Sequence, residues 1–123
     1  ANINYIKDHH LVEKVARETG PYLQAGLQNL ADTHPLVGEA RGRGLMAGIQ
    51  LVKDKASREI FTGDQDAAMI CRNYCFNNNL IMRAVGQSMI ISPPLVITKS
   101  EIDELLDKAK TCLDATAKDL GVM

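Results

Sequence analysis

The spacing of apolar residues changes its period repeatedly along this 123-residue chain, and these changes restrict the fold more than any other feature. Between Leu11 and Leu30 apolar residues recur every three or four positions, which is the period of one helical face. Residues 45–52 instead alternate between apolar and other residues, as a half-buried strand does. A helical period returns after Asp64 and again after Thr98. This order predicts an α+β fold, in which helices pack on one face of a small, mostly antiparallel sheet.

Local signals indicate where the helices begin and end. Gly20 and Pro21 lie inside the first helical pattern, and we expect a kink or short break there because proline lacks an amide donor. His34 precedes a proline, which ends that pattern. Asp64 is expected to cap the second helix, and Thr98 with Glu101 forms a capping box that begins the third.

Two β-hairpins are predicted between the helices. Residues 36–41 and 45–52 are short apolar-rich runs around Gly42, Arg43 and Gly44. Residues 80–85 and 88–92 form the second pair, joined through Gly86, whose positive φ suits the first central position of a two-residue turn. The charged segment 53–63 is expected to be a loop that only Ile60 and Phe61 anchor.

Size and charge exclude several classes of protein. A chain of this length supports one domain with a modest core. With 14 basic and 15 acidic side chains it has no surplus of cations, so neither nucleic acid nor an anionic membrane is an expected partner. The apolar runs are too short for a membrane span. Three cysteines without paired spacing favour a reducing, cytoplasmic environment.

Most residues with chemical potential have a structural interpretation. Gly42, Gly44 and Gly48 lie in a segment that continues as a strand, whereas a phosphate loop opens onto a helix, so a tight turn with close backbone approach inside a sheet is favoured. Cys71, Cys75 and Cys112 occupy core positions of helices, and His9, His10 and His34 match no zinc pattern, so no metal ligand is predicted. A nucleophilic cysteine with a histidine base remains an open alternative that no local sequence favours.

Arg83 is the exception, because it lies within the apolar strand 80–85. An arginine there must reach solvent or meet an anion, since a buried unpaired cation is costly. Its planar guanidinium suits a carboxylate, which it can bind with two parallel hydrogen bonds. From spacing alone, a carboxylate ligand and an exposed position at the sheet edge remain equally open.

Two blocks of sequence resemble a known family. Residues 37–52, VGEARGRGLMAGIQLV, and residues 79–95, NLIMRAVGQSMIISPPL, are followed by the capped helix from Thr98. Together they resemble the C-terminal small domain of class III aminotransferases, which are fold type I enzymes that use pyridoxal 5′-phosphate. Within that family the chain is most similar to the ω-amino acid and amine:pyruvate group, although Asn79 replaces a glycine common at the start of the second block.

The resemblance implies that residues 1–123 are a single C-terminal small domain of a transaminase. That enzyme would transfer an amino group from an amine or ω-amino acid to pyruvate or a related keto acid, and would be a homodimer. The resemblance assigns the substrate carboxylate to Arg83, and we expect Ser92, Pro93 and Pro94 to form a rigid pocket wall nearby. The lysine, aspartate and phosphate-binding groups of the cofactor site belong to a large domain, so no catalytic or cofactor-binding residue is expected in this chain.

Because the chain begins at Ala1 without methionine, we expect it to be a piece of the enzyme and to be inactive alone. Two alternatives remain. The chain could be a non-catalytic α+β module that binds a ligand or mediates assembly, or it could derive from an aminotransferase for diamines such as putrescine. The coding sequence upstream of Ala1 discriminates the module from the enzyme.

Overall fold

A computed structural model describes all 123 residues and confirms the α+β prediction. The helices and strands follow one another in the order α1 (Asn2–Asp8), α2 (Leu11–Lys14), a π-helical turn (Val15–Thr19), α3 (Gly20–Thr33), β1 (Val37–Arg43), β2 (Met46–Leu51), α4 (Ala67–Asn77), β3 (Arg83–Val85), β4 (Ser88–Ile91) and α5 (Lys99–Asp119). None of these helices combines the length and the apolar content that crossing a membrane requires.

The four strands form one antiparallel sheet in the order β1-β2-β4-β3. Alternate residues point to opposite faces of a sheet. On the inner face, Ile49 and Met89 are paired and fully buried. The outer face carries the exposed side chains of Gln50 and Arg83 instead. The helices therefore cover one face and leave the other open, as the sequence predicts.

The core lies between the inner face of the sheet and the helices. Helix α3 contributes Leu23, Leu27 and Leu30, and α5 contributes Ile102 and Leu113 to a single cluster of 25 buried residues. Burying one such leucine or isoleucine side chain contributes about 1.5–3 kcal/mol. The sheet is thus fixed against the helices by apolar packing, which holds its outer face in a defined shape.

A π-helical turn forms at the break predicted near Pro21. Residues Val15–Thr19 are wound more widely than an α-helix, and the amide of Gly20 donates to the carbonyl of Val15, five residues earlier. A side chain at Gly20 would overlap that carbonyl and approach the Cα of Gly44 to 2.9 Å. The start of α3 therefore contacts the first hairpin directly.

The first hairpin confirms the tight-turn interpretation of the glycines around Arg43. Strand β1 begins one residue later than predicted and continues through Arg43, so the turn falls at Gly44, whose φ is +61°. At Gly42 a Cβ would overlap the carbonyl oxygen of Met46 on the opposite strand. Strand β2 follows immediately, with Ala47 and Ile49 buried on the predicted face.

Two predictions for the segment before α4 are wrong. The N-cap of α4 is Asp66, not Asp64, and the Asp66 carboxylate accepts a hydrogen bond of 3.0 Å from the amide of Met69. Of the two predicted anchors of the preceding loop, Phe61 is buried at 3% exposure, whereas Ile60 is 43% exposed. Adjacent side chains of an extended segment face opposite ways, so one of the two had to face solvent.

The second hairpin is shorter than predicted, because residues at the start of the predicted strand form the C-terminal cap of α4. Asn79 adopts a left-handed conformation with a φ of +59°, and the amide of Leu80 donates to the carbonyl of Cys75 at 2.9 Å. Strand β3 therefore begins only at Arg83. The turn forms as predicted, since Gly86 has a φ of +57°.

Helix α5 begins with the predicted capping box. The Thr98 hydroxyl accepts from the amide of Glu101 at 3.2 Å, and the Glu101 carboxylate accepts from the amide of Thr98 at 3.1 Å. At the other end, Gly121 has a φ of +72° and the amide of Val122 donates to the carbonyl of Ala117. Both ends of α5 are thus fixed by local hydrogen bonds.

Candidate functional site

Arg83 lies on the open face of the sheet, at the edge strand β3. The side chain before it, Met82, is 1% exposed, and the one after it, Ala84, packs against the core. Arg83 alternates with these residues and is exposed. It is therefore directed away from the helices, so its guanidinium is not buried in the domain.

The guanidinium of Arg83 has no partner within the chain. The five ion pairs and the side-chain hydrogen bonds involve other residues. A guanidinium carries five donors and binds carboxylates in a planar, two-point geometry. An arginine in this state can bind an anion without first breaking an internal contact.

Beside Arg83 the outer face carries a shallow trough of about 370 Å³. We call it the outer-face trough, and its lining residues are Glu39, Arg41, Gly48, Gln50, Ser88 and Ile90. Strand pairing brings one row across the sheet, from β1 to β3, that consists of Arg41, Gly48, Ile90 and Arg83. The trough and Arg83 thus belong to one continuous surface.

Ser92, Pro93 and Pro94 line a different depression. They follow β4 and border a hollow of about 390 Å³ together with Asn79, Ile81 and residues of α5, among them Glu104. Arg83 does not line this hollow. The structure therefore brings Ser92 to Pro94 against α5, while Arg83 faces the outer surface, and a shared pocket wall stays a prediction.

The three cysteines lie between α4 and α5. Cys71, Cys75 and Cys112 are free and fully buried in the core. The neighbouring Cys71 thiol and burial together raise the pKa of Cys75, and burial raises the pKa of Cys112. The hydrogen bond with Cys75 lowers the pKa of Cys71, but all three thiols are inaccessible, so core packing accounts for these residues better than catalysis does.

Sequence reasoning missed a buried histidine that links three elements. His34 is 3% exposed, its Nδ1 accepts from the amide of Leu36 at 3.1 Å, and its Nε2 lies 2.9 Å from Asp114 on α5. Because Nδ1 accepts, Nε2 carries the proton and donates to Asp114. Burial lowers the pKa of His34, and a hydrogen bond from Lys110 lowers that of Asp114. No local signal in the sequence connects residues 80 positions apart.

Comparison with known proteins identifies the family. The aminotransferase class-III family matches residues 1–113, most of the chain. The chain belongs to the class-III aminotransferases.

Several class-III aminotransferases are similar to the chain over almost its whole length. The putrescine–pyruvate aminotransferase of Pseudomonas aeruginosa is 59% identical over 116 residues, which cover 94% of this chain and 25% of that protein. The taurine–pyruvate aminotransferase of Bilophila wadsworthia is 32% identical over 122 residues, covering 93% of this chain and 26% of that protein. The chain thus spans about a quarter of the length of these curated relatives.

Solved structures of transaminases share the fold. The ω-transaminase of Pseudomonas jessenii in complex with PMP superposes with a TM-score of 0.89 at 31% identity, over 98% of this chain and 26% of that one. A PMP-bound aminotransferase of Vibrio fluvialis gives a TM-score of 0.86 at 35% identity, over 93% of this chain and 25% of that one. The α+β arrangement described above is therefore that of part of a fold type I transaminase.

The lysines of this class-III chain lie at its surface. None of the lysines is buried, and the half-buried Lys55 donates to the carbonyls of Ala31 and His34 at the end of α3. A lysine that carries this cofactor must be free to react with it, which Lys55 is not. That the cofactor-binding residues lie outside positions 1–123 stays a prediction.

Proposed function

We propose that residues 1–123 form the C-terminal small domain of a pyridoxal-phosphate-dependent transaminase. The complete enzyme transfers an amino group from an amine or ω-amino acid to pyruvate or a related keto acid. Its large domain, which this chain lacks, carries the cofactor. The complete enzyme is a cytoplasmic homodimer, and the isolated chain is inactive.

The observation that carries this proposal is the unpartnered guanidinium of Arg83 on the open face of the sheet. Pyruvate is a small carboxylate, and a planar guanidinium is the side chain that binds carboxylates with two-point geometry. The domain therefore contributes recognition and orientation of the keto acid, while the reacting groups lie in the rest of the enzyme.

One observation favours a diamine as the amino donor. The relative that is 59% identical is a putrescine–pyruvate aminotransferase, and this identity extends over 94% of the chain. A diamine has no carboxylate, so Arg83 would contact the acceptor and not the donor in that case. Donor assays with the intact enzyme should therefore include putrescine, taurine and an ω-amino acid.

The test is Arg83→Ala in the intact enzyme, with pyruvate compared with an aldehyde acceptor that lacks a carboxylate. Losing a hydrogen bond to a charged group corresponds to about 10- to 100-fold, so kcat/KM for pyruvate should fall by that factor. The value for the aldehyde should change little. Arg17→Ala, which removes an exposed arginine from the π-helical turn, serves as the matched control. Equal losses for both acceptors would contradict the role of Arg83.

A further inference from the structure

Gly48 leaves space on the outer face that the fold itself does not require. At Gly42 an added Cβ would overlap backbone atoms of the opposite strand, so the hairpin needs glycine there. At Gly48 an added Cβ would lie 3.3 Å from the end of the flexible Ile90 side chain. The nearest backbone oxygen would be at 3.8 Å, an ordinary contact distance. Glycine inside a strand lowers stability relative to alanine. The main effect of having glycine at position 48 is therefore a deeper outer-face trough.

Arginines stand on both sides of this floor. Arg41 pairs directly with Gly48 on the neighbouring strand, and Arg83 lies two strands away in the same row. Two strand spacings amount to about 9.6 Å. A carboxylate held by both guanidinium groups would have to lie between them, above the row of Gly48 and Ile90. The bound carboxylate then lies above Gly48, within reach of Arg41.

Arg41 keeps donors available for such a ligand. Its Nε donates to Glu39 at 2.7 Å, and its terminal nitrogens have no partner within the chain. Glu39 and Arg41 both line the trough. Arg41 can therefore bind an anion while it remains paired with Glu39.

We infer that Arg41 is a second carboxylate-binding residue, and that the keto acid's carboxylate lies over Gly48 between Arg41 and Arg83. This inference rests on the proposed function. The two guanidinium groups carry two positive charges and Glu39 carries one negative charge, so the site has a net charge of +1. That balance matches a monocarboxylic keto acid and disfavours a dicarboxylic one.

The first test is Arg41→Ala in the intact enzyme, again with pyruvate and an aldehyde that lacks a carboxylate. We expect the KM for pyruvate to rise about tenfold, the size of one charge-assisted hydrogen bond, and the KM for the aldehyde to stay constant. Both arginines would hold the same carboxylate. In the double variant Arg41→Ala/Arg83→Ala, kcat/KM for pyruvate should therefore fall by less than the product of the two single-variant factors. Arg41→Lys should restore only part of the affinity, since one ammonium cannot match the geometry of the guanidinium.

Gly48 and Glu39 provide independent tests of the same geometry. Gly48→Val should raise the KM for pyruvate because its side chain fills the floor of the trough, and the melting temperature of the variant reports separately on the fold. Gly48→Ala should have a smaller effect. Glu39→Gln should raise the relative kcat/KM for a dicarboxylic keto acid, because it removes the negative charge that balances the site.

The outcomes separate this inference from the proposed function. If Arg83→Ala is selective for pyruvate but Arg41→Ala changes both acceptors equally or neither, the second carboxylate ligand is refuted and the role of Arg83 stands. If Arg83→Ala is not selective either, the proposed function fails with it. An unchanged pyruvate KM in Gly48→Val would refute the placement of the carboxylate even if Arg41→Ala impaired folding.

Discussion

His34 should make the stability of this chain depend on pH below about 6.5. An unfolded histidine has a pKa of about 6.5, and burial lowers the pKa of His34 in the fold. The unfolded chain therefore binds a proton at a higher pH than the folded chain does. Stability is complete above pH 6.5 and falls as the pH decreases towards the folded pKa, below which it levels off.

The size of the effect follows from the contacts of His34. A proton added to Nδ1 would displace the 3.1 Å hydrogen bond from the amide of Leu36, which is fully buried. The 2.9 Å contact with Asp114 partly compensates, because it favours the charged form. One proton gives a slope of at most about 1.4 kcal/mol per pH unit, and the loss at pH 5.5 is at most about 1.4 kcal/mol.

Urea denaturation of the 123-residue chain at intervals between pH 8 and pH 5 measures this dependence. His34→Gln keeps a polar side chain that can donate to Asp114 but removes the titrating group, so its stability should be lower overall and nearly flat over that range. His9→Gln replaces an exposed histidine and should retain the slope of the unmodified chain. A slope in His34→Gln equal to that of the unmodified chain would refute the assignment.

Three other predictions concern the ends and turns of the fold and the missing cofactor site. Thr98→Ala should destabilise the chain by about 1 kcal/mol in urea denaturation, because it removes one side of the capping box, whereas Thr98→Ser should cost much less. Gly42→Ala should destabilise the hairpin clearly, since its Cβ meets backbone, while Gly48→Ala should be neutral or stabilising by up to about 1 kcal/mol. Incubation of the isolated chain with pyridoxal 5′-phosphate and borohydride should label no single lysine preferentially, as mass spectrometry of the digest would report.

The elements with local signals were predictable and those decided by packing were not. The capping box of α5 involves residues three apart, so the sequence alone located the start of that helix at Thr98. Asp64 and Asp66 carry the same capping side chain, and only the burial of Ala67 against the core decides between them. Likewise, the sequence identified a disturbance near Pro21, but not the close approach of Gly20 to Gly44 that accompanies the π-helical turn.

The sequence alone singled out Arg83 as a candidate site residue, but none of the residues beside it. An arginine in an apolar strand stands out in a single sequence, and the structure places it on an open face. Arg41 and Gly48 join it only through the register of three pairs of strands, which no local pattern specifies. The sequence interpretation gave one reason, a tight turn with close backbone approach, for Gly42, Gly44 and Gly48 together, but at Gly48 the nearest backbone atom would lie at an ordinary 3.8 Å from a Cβ.

The pairing of β2 with β4 has a consequence for where this domain can vary. These two central strands join the hairpins directly. Residues 52–66 connect β2 with α4 along the surface, and after Val52 their one buried side chain is Phe61. Doubling the length of such a segment raises the entropy cost of closure by only about 0.6 kcal/mol. Insertions near Ser57 should therefore leave the sheet intact, so this segment is a suitable attachment point for a reporter or an added module.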